Sequence, residues 1–302
     1  MDLRHLRYVI AVAEELHFTR AAQRLGIGQP PLSQQIKQLE DELGTPLFIR
    51  ATRMVTLTEA GRAFLPFARA ALEAAEQAAL AARRAARGEV GQMRIGFTSA
   101  ASFNSTVPAI ISSFRDAYPE VELILVEQAT NFLLTGLHAD KLDIAFMRPA
   151  PGQRDDLVTL PLPPERLCIA LPSRHPLSSR KLLDLRELGN EAFVLYPRAN
   201  GSLLYDAIIE ACRNAGFSPR IVQEAPQMSS TVNLVAAGVG VALVPESMRQ
   251  LHPEGVAYVP IAGTQPLAML WIVHRHAVNT PALVHNFMRH TEQFLADAVM
   301  AA

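Results

Sequence analysis

Two cysteines in 302 residues, Cys168 and Cys212, cannot build a disulfide framework. Both sit in apolar runs, CIAL and IIEACRNAG, so buried and inert thiols in a reducing compartment are expected. An excess of one charge is also missing. The net charge of −1 carries no bulk basic signal for nucleic acid, so DNA binding would need a local stripe of Lys and Arg. No hydrophobic run reaches membrane length. The longest, Val232 to Pro245, is broken by Asn233, Gly238 and Gly240. It falls short of the roughly 18–20 residues a span needs. The opening MDLRHLRYVIAVAEELHF places acidic residues after a short apolar stretch and shows no small-residue cleavage site, unlike a secretory signal. A soluble, cytoplasmic protein without a membrane partner is expected.

Catalytic signatures are absent too. There is no G-x-S-x-G elbow and no phosphate-cradling G-x-x-x-x-G-K. Gly238-Val239-Gly240 follows a helical pattern and precedes a strand, the reverse of a dinucleotide fingerprint, and reads as a helix stop and turn. His274 and His276 can share a strand face, but no further ligands are placed with them, short of the roughly three or four a metal site requires. No catalytic residue, metal or other cofactor is expected.

What is present begins with composition. A hydrophobic fraction of 49% is enough to build cores, and the length asks for more than one domain. Leu3, Leu6, Val9, Ile10, Val12 and Ala13 recur at helical spacing, and Ala21, Ala22 and Leu25 share one face of a second helix. Gly26-Ile27-Gly28 is a tight turn. Gln29-Pro30-Pro31 opens a third helix, since proline suits a first turn. Leu32, Ile36, Leu39 and Leu43 form its expected buried stripe. Gln29, Ser33, Gln34, Lys37 and Gln38 lie opposite, where polar side chains can meet phosphates and base edges. Helix, glycine turn, helix is the helix-turn-helix pattern. PLFIRATRMVTLT then reads as a hairpin with Phe48 inward and Arg50 and Arg53 near its tip, a basic wing beside the third helix.

Thr58 is the expected N-cap of a long helix running to about Arg87. Phe64, Ala68, Ala71, Ala75, Ala78 and Ala82 alternate spacings of three and four, a heptad seam of small residues that implies a close partner helix. Pro66 predicts a kink. From Gln92 onward strands and helices alternate: MRIGF, VELILVEQ and LDIAFM with helices between them predict a parallel sheet. LCIAL, AFVLY, RIVQE and VALVP supply a second lobe, LAMLWIV returns to the first, and Thr280 to Met300 closes the chain as a helix. Two lobes joined by two crossings make a hinged clamp.

The run LRYVIAVAEELHFTRAAQRLGIGQPPLSQQIKQLEDELGTPLFIR, followed by LTEAGRAFLPFAR, closely resembles the head of LysR-type transcriptional regulators. GFTSAASFNSTVPAIISSFRDAYPEVEL, LDIAFMRP, SRHPL and VAAGVGVALVPES resemble that family's co-inducer domain, so the resemblance covers nearly the whole chain. It implies an α/β protein overall: an all-α winged helix-turn-helix head at 1–58, a long linker and dimerisation helix at 59–88, and a two-lobed α/β periplasmic-binding-protein-like effector domain at 89–302. Lobe I is expected at about 91–164 and 267–302, lobe II at about 165–266. The resemblance implies that Gln29, Pro30, Ser33, Gln34 and Lys37 lie nearest the DNA, with Arg50 and Arg53 on the wing. It implies a homotetramer, a dimer of dimers with Ala68, Ala71, Ala75 and Ala78 at the helix seam, on an interrupted inverted repeat of promoter DNA. RNA polymerase is a further implied partner.

The second half resembles the branch that answers aromatic compounds and their ring-cleavage acids, with a small organic acid as co-inducer held between the lobes. The resemblance places its anionic end at Thr98-Ser99-Ala100-Ala101-Ser102. The family's serine falls at Ala100 here, leaving Ser99 or Ser102 to take its role. Thr130, Arg148, Ser202 and Ser229 complete the implied contacts. Thr98, Ser99, Ser102, Thr130 and Arg148 also lie at or just past the carboxyl ends of expected parallel strands, where ligands of open α/β sheets bind. Phe103 and Phe132 are expected to flank them. A ligand-independent repressor stays open as an alternative, as does, more remotely, an enzyme in the α/β half.

Overall fold

The computed structural model describes residues 1–51, 54–153, 156–251, 254–276 and 280–301. The chain divides into two compact units, Met1–Arg84 and Ala85–Ala302.

In the first unit the helices are α1 (Leu3–Glu15), α2 (Phe18–Leu25) and α3 (Gln29–Leu43), followed by the hairpin β1 (Phe48–Ala51) and β2 (Met54–Leu57) and by α4 (Glu59–Ala86). Local chemistry sets each boundary. The Asp2 side chain accepts the backbone N–H groups of Arg4 and His5 and caps α1. His17, which interrupts the apolar pattern, caps α2 through its ring nitrogen. Gly26 and Gly44 end α2 and α3 in the left-handed conformation, where glycine costs little. Val9, Val12, Ala21, Ala22, Leu32, Ile36, Leu39, Leu47 and Phe48 form one core. Leu43 lies outside it and is exposed, because α3 runs past the core at its last turn.

Thr58 accepts the N–H of Gly61 at 2.9 Å and donates its own hydroxyl hydrogen to the Pro46 carbonyl at 2.7 Å. The start of α4 thus sits so close to Leu47 that a Cβ on Gly61 would fall 2.1 Å from the Leu47 carbonyl oxygen. Thr58→Ala is expected to cost about 1–2 kcal/mol, read as a lower urea midpoint at unchanged slope; an unchanged midpoint would remove the cap from this account. The helix continues through Pro66 as one element.

The second unit begins with β3 (Gly91–Phe97), α5 (Ser99–Ser102), α6 (Thr106–Ala117), β4 (Val121–Glu127), α7 (Thr130–His138), β5 (Ile144–Met147) and β6 (Leu157–Pro161). The chain then crosses to β7 (Glu165–Pro172), β8 (Ala192–Leu195), α8 (Ser202–Asn214), β9 (Arg220–Glu224), α9 (Met228–Ala236), β10 (Ala242–Pro245), β11 (Val256–Pro260) and β12 (Leu267–Ala268). It returns through β13 (Trp271–Arg275) and ends in α10 (Ala282–Ala301). Among the described residues no helix is long and apolar enough to cross a membrane.

The sheet of lobe I has the order β4-β3-β5-β13-β6, with β3 parallel to β4 and β5 and with β13 antiparallel to β5 and β6. Lobe II repeats this plan. There β8 pairs parallel with β9, a parallel bridge from Phe193 to Val241 joins β8 to the strand edge before β10, and β7 runs antiparallel between β10 and β11. Each lobe is therefore a β-α-β-α-β crossover unit extended by two antiparallel strands. The strands β6 and β11 are not evident in the sequence pattern. The expected single strand LAMLWIV divides: β12 pairs with β7 of lobe II, and β13 with lobe I. Within the second unit, Arg87 and Gly88 contact the start of α10. Asn286 donates to the carbonyls of Arg87 (2.7 Å) and Gly88 (3.2 Å), and Gly88 at φ +66° presses on Leu283.

Candidate functional site

In the first unit α3 turns Gln29, Pro30, Gln34 and Lys37 to solvent, while Ser33 is half-buried. Arg50 does not project from the hairpin. Its guanidinium donates to Ser33 Oγ at 2.8 Å and to Glu40 Oε2 at 3.2 Å, and lies 4.7 Å from the Phe18 ring centroid. Arg53 lies outside the described residues.

The alanines of α4 separate into two environments. Phe64 is half-buried against the head core, and Ala68 is 2% exposed within the single chain, so Ala68 is already covered before any partner helix arrives. Ala71 and Ala78 are exposed and Ala75 is half-buried. On the outer side of the same helix Phe67 is 76% exposed.

In the second unit a cleft of about 560 Å³, counting its open mouth, lies between the lobes. Thr98, Ser99, Thr130 and Arg148 line it, as the sequence places them. Ser102, Ser202 and Ser229 do not. The Ser102 hydroxyl donates to the Ser99 carbonyl at 2.7 Å, within its own turn. At the start of α8 the cleft is met instead by Asn200, Gly201 and Leu204, and at the start of α9 by Pro226, Gln227 and Met228. Phe103 instead packs on the lobe II core, and Phe132 is exposed. The apolar lining comes from Ala100, Tyr196, Leu204, Pro226 and Met228. These residues are scattered in sequence and carry no motif. Only Gln227, at the edge of a helical pattern, has a local signal.

The starts of α5, α7, α8 and α9 all face this cleft, and none has a side-chain cap. Unpaired N–H groups and the positive end of a helix dipole favour an anion. Two of the residues that line it hold a buried polar atom without a hydrogen-bond partner, Oγ1 of Thr98 and Nε of Arg148. Gly201 approaches Thr130 from the opposite lobe so closely that a Cβ would sit 3.3 Å from Thr130 Oγ1.

Arg148 is 5% exposed. Burial pulls its guanidinium below the usual arginine range, and the neighbouring Glu165 acts in the opposite direction. Arg148 Nη2 donates to Glu165 Oε1 at 3.0 Å. Glu165 Oε1 also accepts from Asn104 Nδ2 at 3.4 Å, and Oε2 accepts the Ser247 N–H at 3.2 Å, so one carboxylate joins both lobes. Arg198 is held by Asp206 in two contacts of 2.7 Å and is not aimed at the cleft. Burial pushes the Cys168 thiol up to about 12 and the Cys212 thiol up to about 11, which keeps both unreactive. His274 is held below the usual imidazole range by burial, with Nδ1 at 3.0 Å from the Arg275 carbonyl oxygen. Among the described residues no group of three or more His, Cys, Asp or Glu converges to hold a metal.

Two family models match the chain: "Bacterial regulatory helix-turn-helix protein, lysR family" over residues 3–62 and "LysR substrate binding domain" over residues 86–296. The uncharacterized HTH-type transcriptional regulator YnfL of Escherichia coli K12 is 40% identical over 96% of this chain and 97% of its own length. The HTH-type transcriptional regulator AlsR of Bacillus subtilis 168 is 39% identical over 94% of each chain. The crystal structure of full-length CbnR complexed with its target DNA superposes with a TM-score of 0.84 at 28% identity, covering 97% of this chain and 99% of that one.

Proposed function

This chain belongs to the LysR family of DNA-binding transcriptional regulators with an effector-binding domain, and from that premise we propose that it is switched by a small organic anion with an apolar body held between its two lobes. The observation that carries this reading is the convergence of uncapped helix starts on a cleft lined by Thr98 and Arg148, each of which holds one buried polar atom without a partner, Oγ1 and Nε. Such a site rewards negative charge at one end. Tyr196, Leu204, Pro226 and Met228 offer an apolar wall for the other. An aromatic acid or its ring-opened diacid has this chemistry, and Thr98, Ser99, Thr130 and Arg148 are its proposed contacts.

The DNA contacts we propose are Gln29, Pro30, Ser33, Gln34 and Lys37 on α3. The division into head (1–58), linker (59–88) and effector domain (89–302) belongs to the same reading. Assembly would run through the exposed part of α4 to a dimer and then a dimer of dimers, in the cytoplasm where promoter DNA and RNA polymerase are found. The ligand need only bind one lobe arrangement better than another to bias the heads.

Isothermal titration of the full chain against a panel of aromatic acids and ring-opened diacids tests the site. One class is expected to bind, with affinity falling about tenfold or more in Thr130→Val, which keeps the volume but removes the hydroxyl. A ligand bound equally well by that variant places the pocket elsewhere. A chain that binds no acid, while still occupying promoter DNA, supports the ligand-independent repressor instead.

A further inference from the structure

Glu40 and Arg50 form a closed circuit on the surface of the head, with Glu40 largely covered and the Arg50 side chain 40% exposed. Glu40 Oε1 accepts the backbone N–H of Leu47 at 2.7 Å and of Phe48 at 3.1 Å, fixing the chain where it enters β1. Glu40 Oε2 takes Arg50 Nη2, and Arg50 Nη1 reaches back to Ser33 Oγ. Ser33 lies seven residues before Glu40, two turns earlier on the same face of α3. The guanidinium carbon also lies over the Phe18 ring, 4.7 Å from its centroid, a cation–π contact.

A serine hydroxyl has one hydrogen and two lone pairs, whereas a guanidinium only donates. Arg50 therefore occupies a lone pair of Ser33 and repels its hydrogen. Among the described residues no other group takes that hydrogen. A hydrogen kept away from the guanidinium has the open side of α3 available to it, where Gln29, Gln34 and Lys37 are exposed.

We propose that Arg50 is a positioning residue that fixes the polarity of Ser33, so that Ser33 meets DNA as a hydrogen-bond donor to a phosphate oxygen or a base-edge acceptor. The proposal rests on the reading of α3 as the DNA-facing helix. It also assigns Arg50 a role other than phosphate neutralisation, since its charge is already balanced by Glu40 within the head.

The probe is a duplex selected from a random library with the full-length protein. The double variant Glu40→Gln, Arg50→Gln keeps the net charge, and the glutamine carbonyl oxygen can still accept from Leu47 and Phe48. It is expected to lose about tenfold in affinity with an unchanged slope of log affinity against log salt. Lys37→Ala, the reference for a phosphate contact, should lower that slope by about 0.9. A drop of about 0.9 in the double variant, or affinity equal to wild type, overturns the proposal.

A second measurement does not depend on that variant folding. Wild type and Ser33→Ala are compared on duplexes in which one DNA acceptor at a time is removed, by methylphosphonate at a phosphate, 7-deazapurine at N7 or 2-aminopurine in place of guanine. One substitution should cost wild type about tenfold and Ser33→Ala nothing. A methylphosphonate position identifies a backbone acceptor, and a base analogue identifies a base edge. If the Ser33-dependent position responds instead to removal of an adenine or cytosine amino group, Ser33 accepts and the proposal fails while DNA binding by α3 stands. If no duplex is enriched, the DNA-facing reading of α3 falls and takes the proposal with it.

Discussion

Glu165→Ala is expected to destabilise the two-lobed unit by about 3–5 kcal/mol, because it strands Arg148 as an uncompensated buried charge. Arg148 is 5% exposed, and Glu165 is its charged partner at 3.0 Å. The same carboxylate takes Asn104 and the Ser247 N–H, so alanine also leaves those donors without their acceptor. Because Glu165 opens β7 directly after the crossing from β6, the loss falls on the junction of the two lobes. The chain has one tryptophan, and it is Trp271, buried in β13 of lobe I. Its fluorescence in urea follows this unit selectively. The double replacement Arg148→Met, Glu165→Leu should recover most of the loss, since apolar groups of similar volume often match a buried ion pair. An unchanged midpoint in Glu165→Ala would mean that water already screens the pair.

Ala71→Glu and Ala78→Glu on α4 are expected to abolish dimers while leaving the protomer folded. Both positions are exposed in the single chain, and substitutions at such sites usually change stability by no more than about 0.5 kcal/mol. The helix alone gives little reason for its own length, because an alanine-rich helix standing in water buries almost nothing. In a two-fold seam each new carboxylate would approach its symmetry copy in a dry interface, a strongly unfavourable meeting. Ala68→Glu would not be a clean test, because Ala68 is covered by its own chain. Light scattering reads the mass directly. Binding to a duplex with two half-sites should drop by about 100-fold or more, while binding to one half-site should not. Wild-type mass in both variants would remove this face of α4 from the interface.

Local physics made much of this molecule legible beforehand. Thr58 as a cap, Gly26 as a left-handed stop, the prolines in the first turn of α3 and the spacing of Leu32, Ile36 and Leu39 each depend on neighbours within a few residues. The same holds for the β-α-β-α-β order of lobe I. The antiparallel completions are different. β13 inserts between β5 and β6, and β7 between β10 and β11, pairings across long separations that a run of apolar residues does not specify.

For the sites, the sequence by itself determined which stretches carry polar groups beside helix starts and which face of α3 is open. Tertiary structure alone decided that Thr98, Ser99, Thr130 and Arg148 share one cleft while Ser102, Ser202 and Ser229 stand outside it. It decided also that Arg50 folds back over α3 to Ser33 and Glu40, and that Arg148 meets Glu165 across the crossing. Helical and strand periods assign a residue to a face. Whether its polar atom then finds a backbone carbonyl, a buried carboxylate or an open cleft depends on how distant segments pack against it, and no local period encodes that distance.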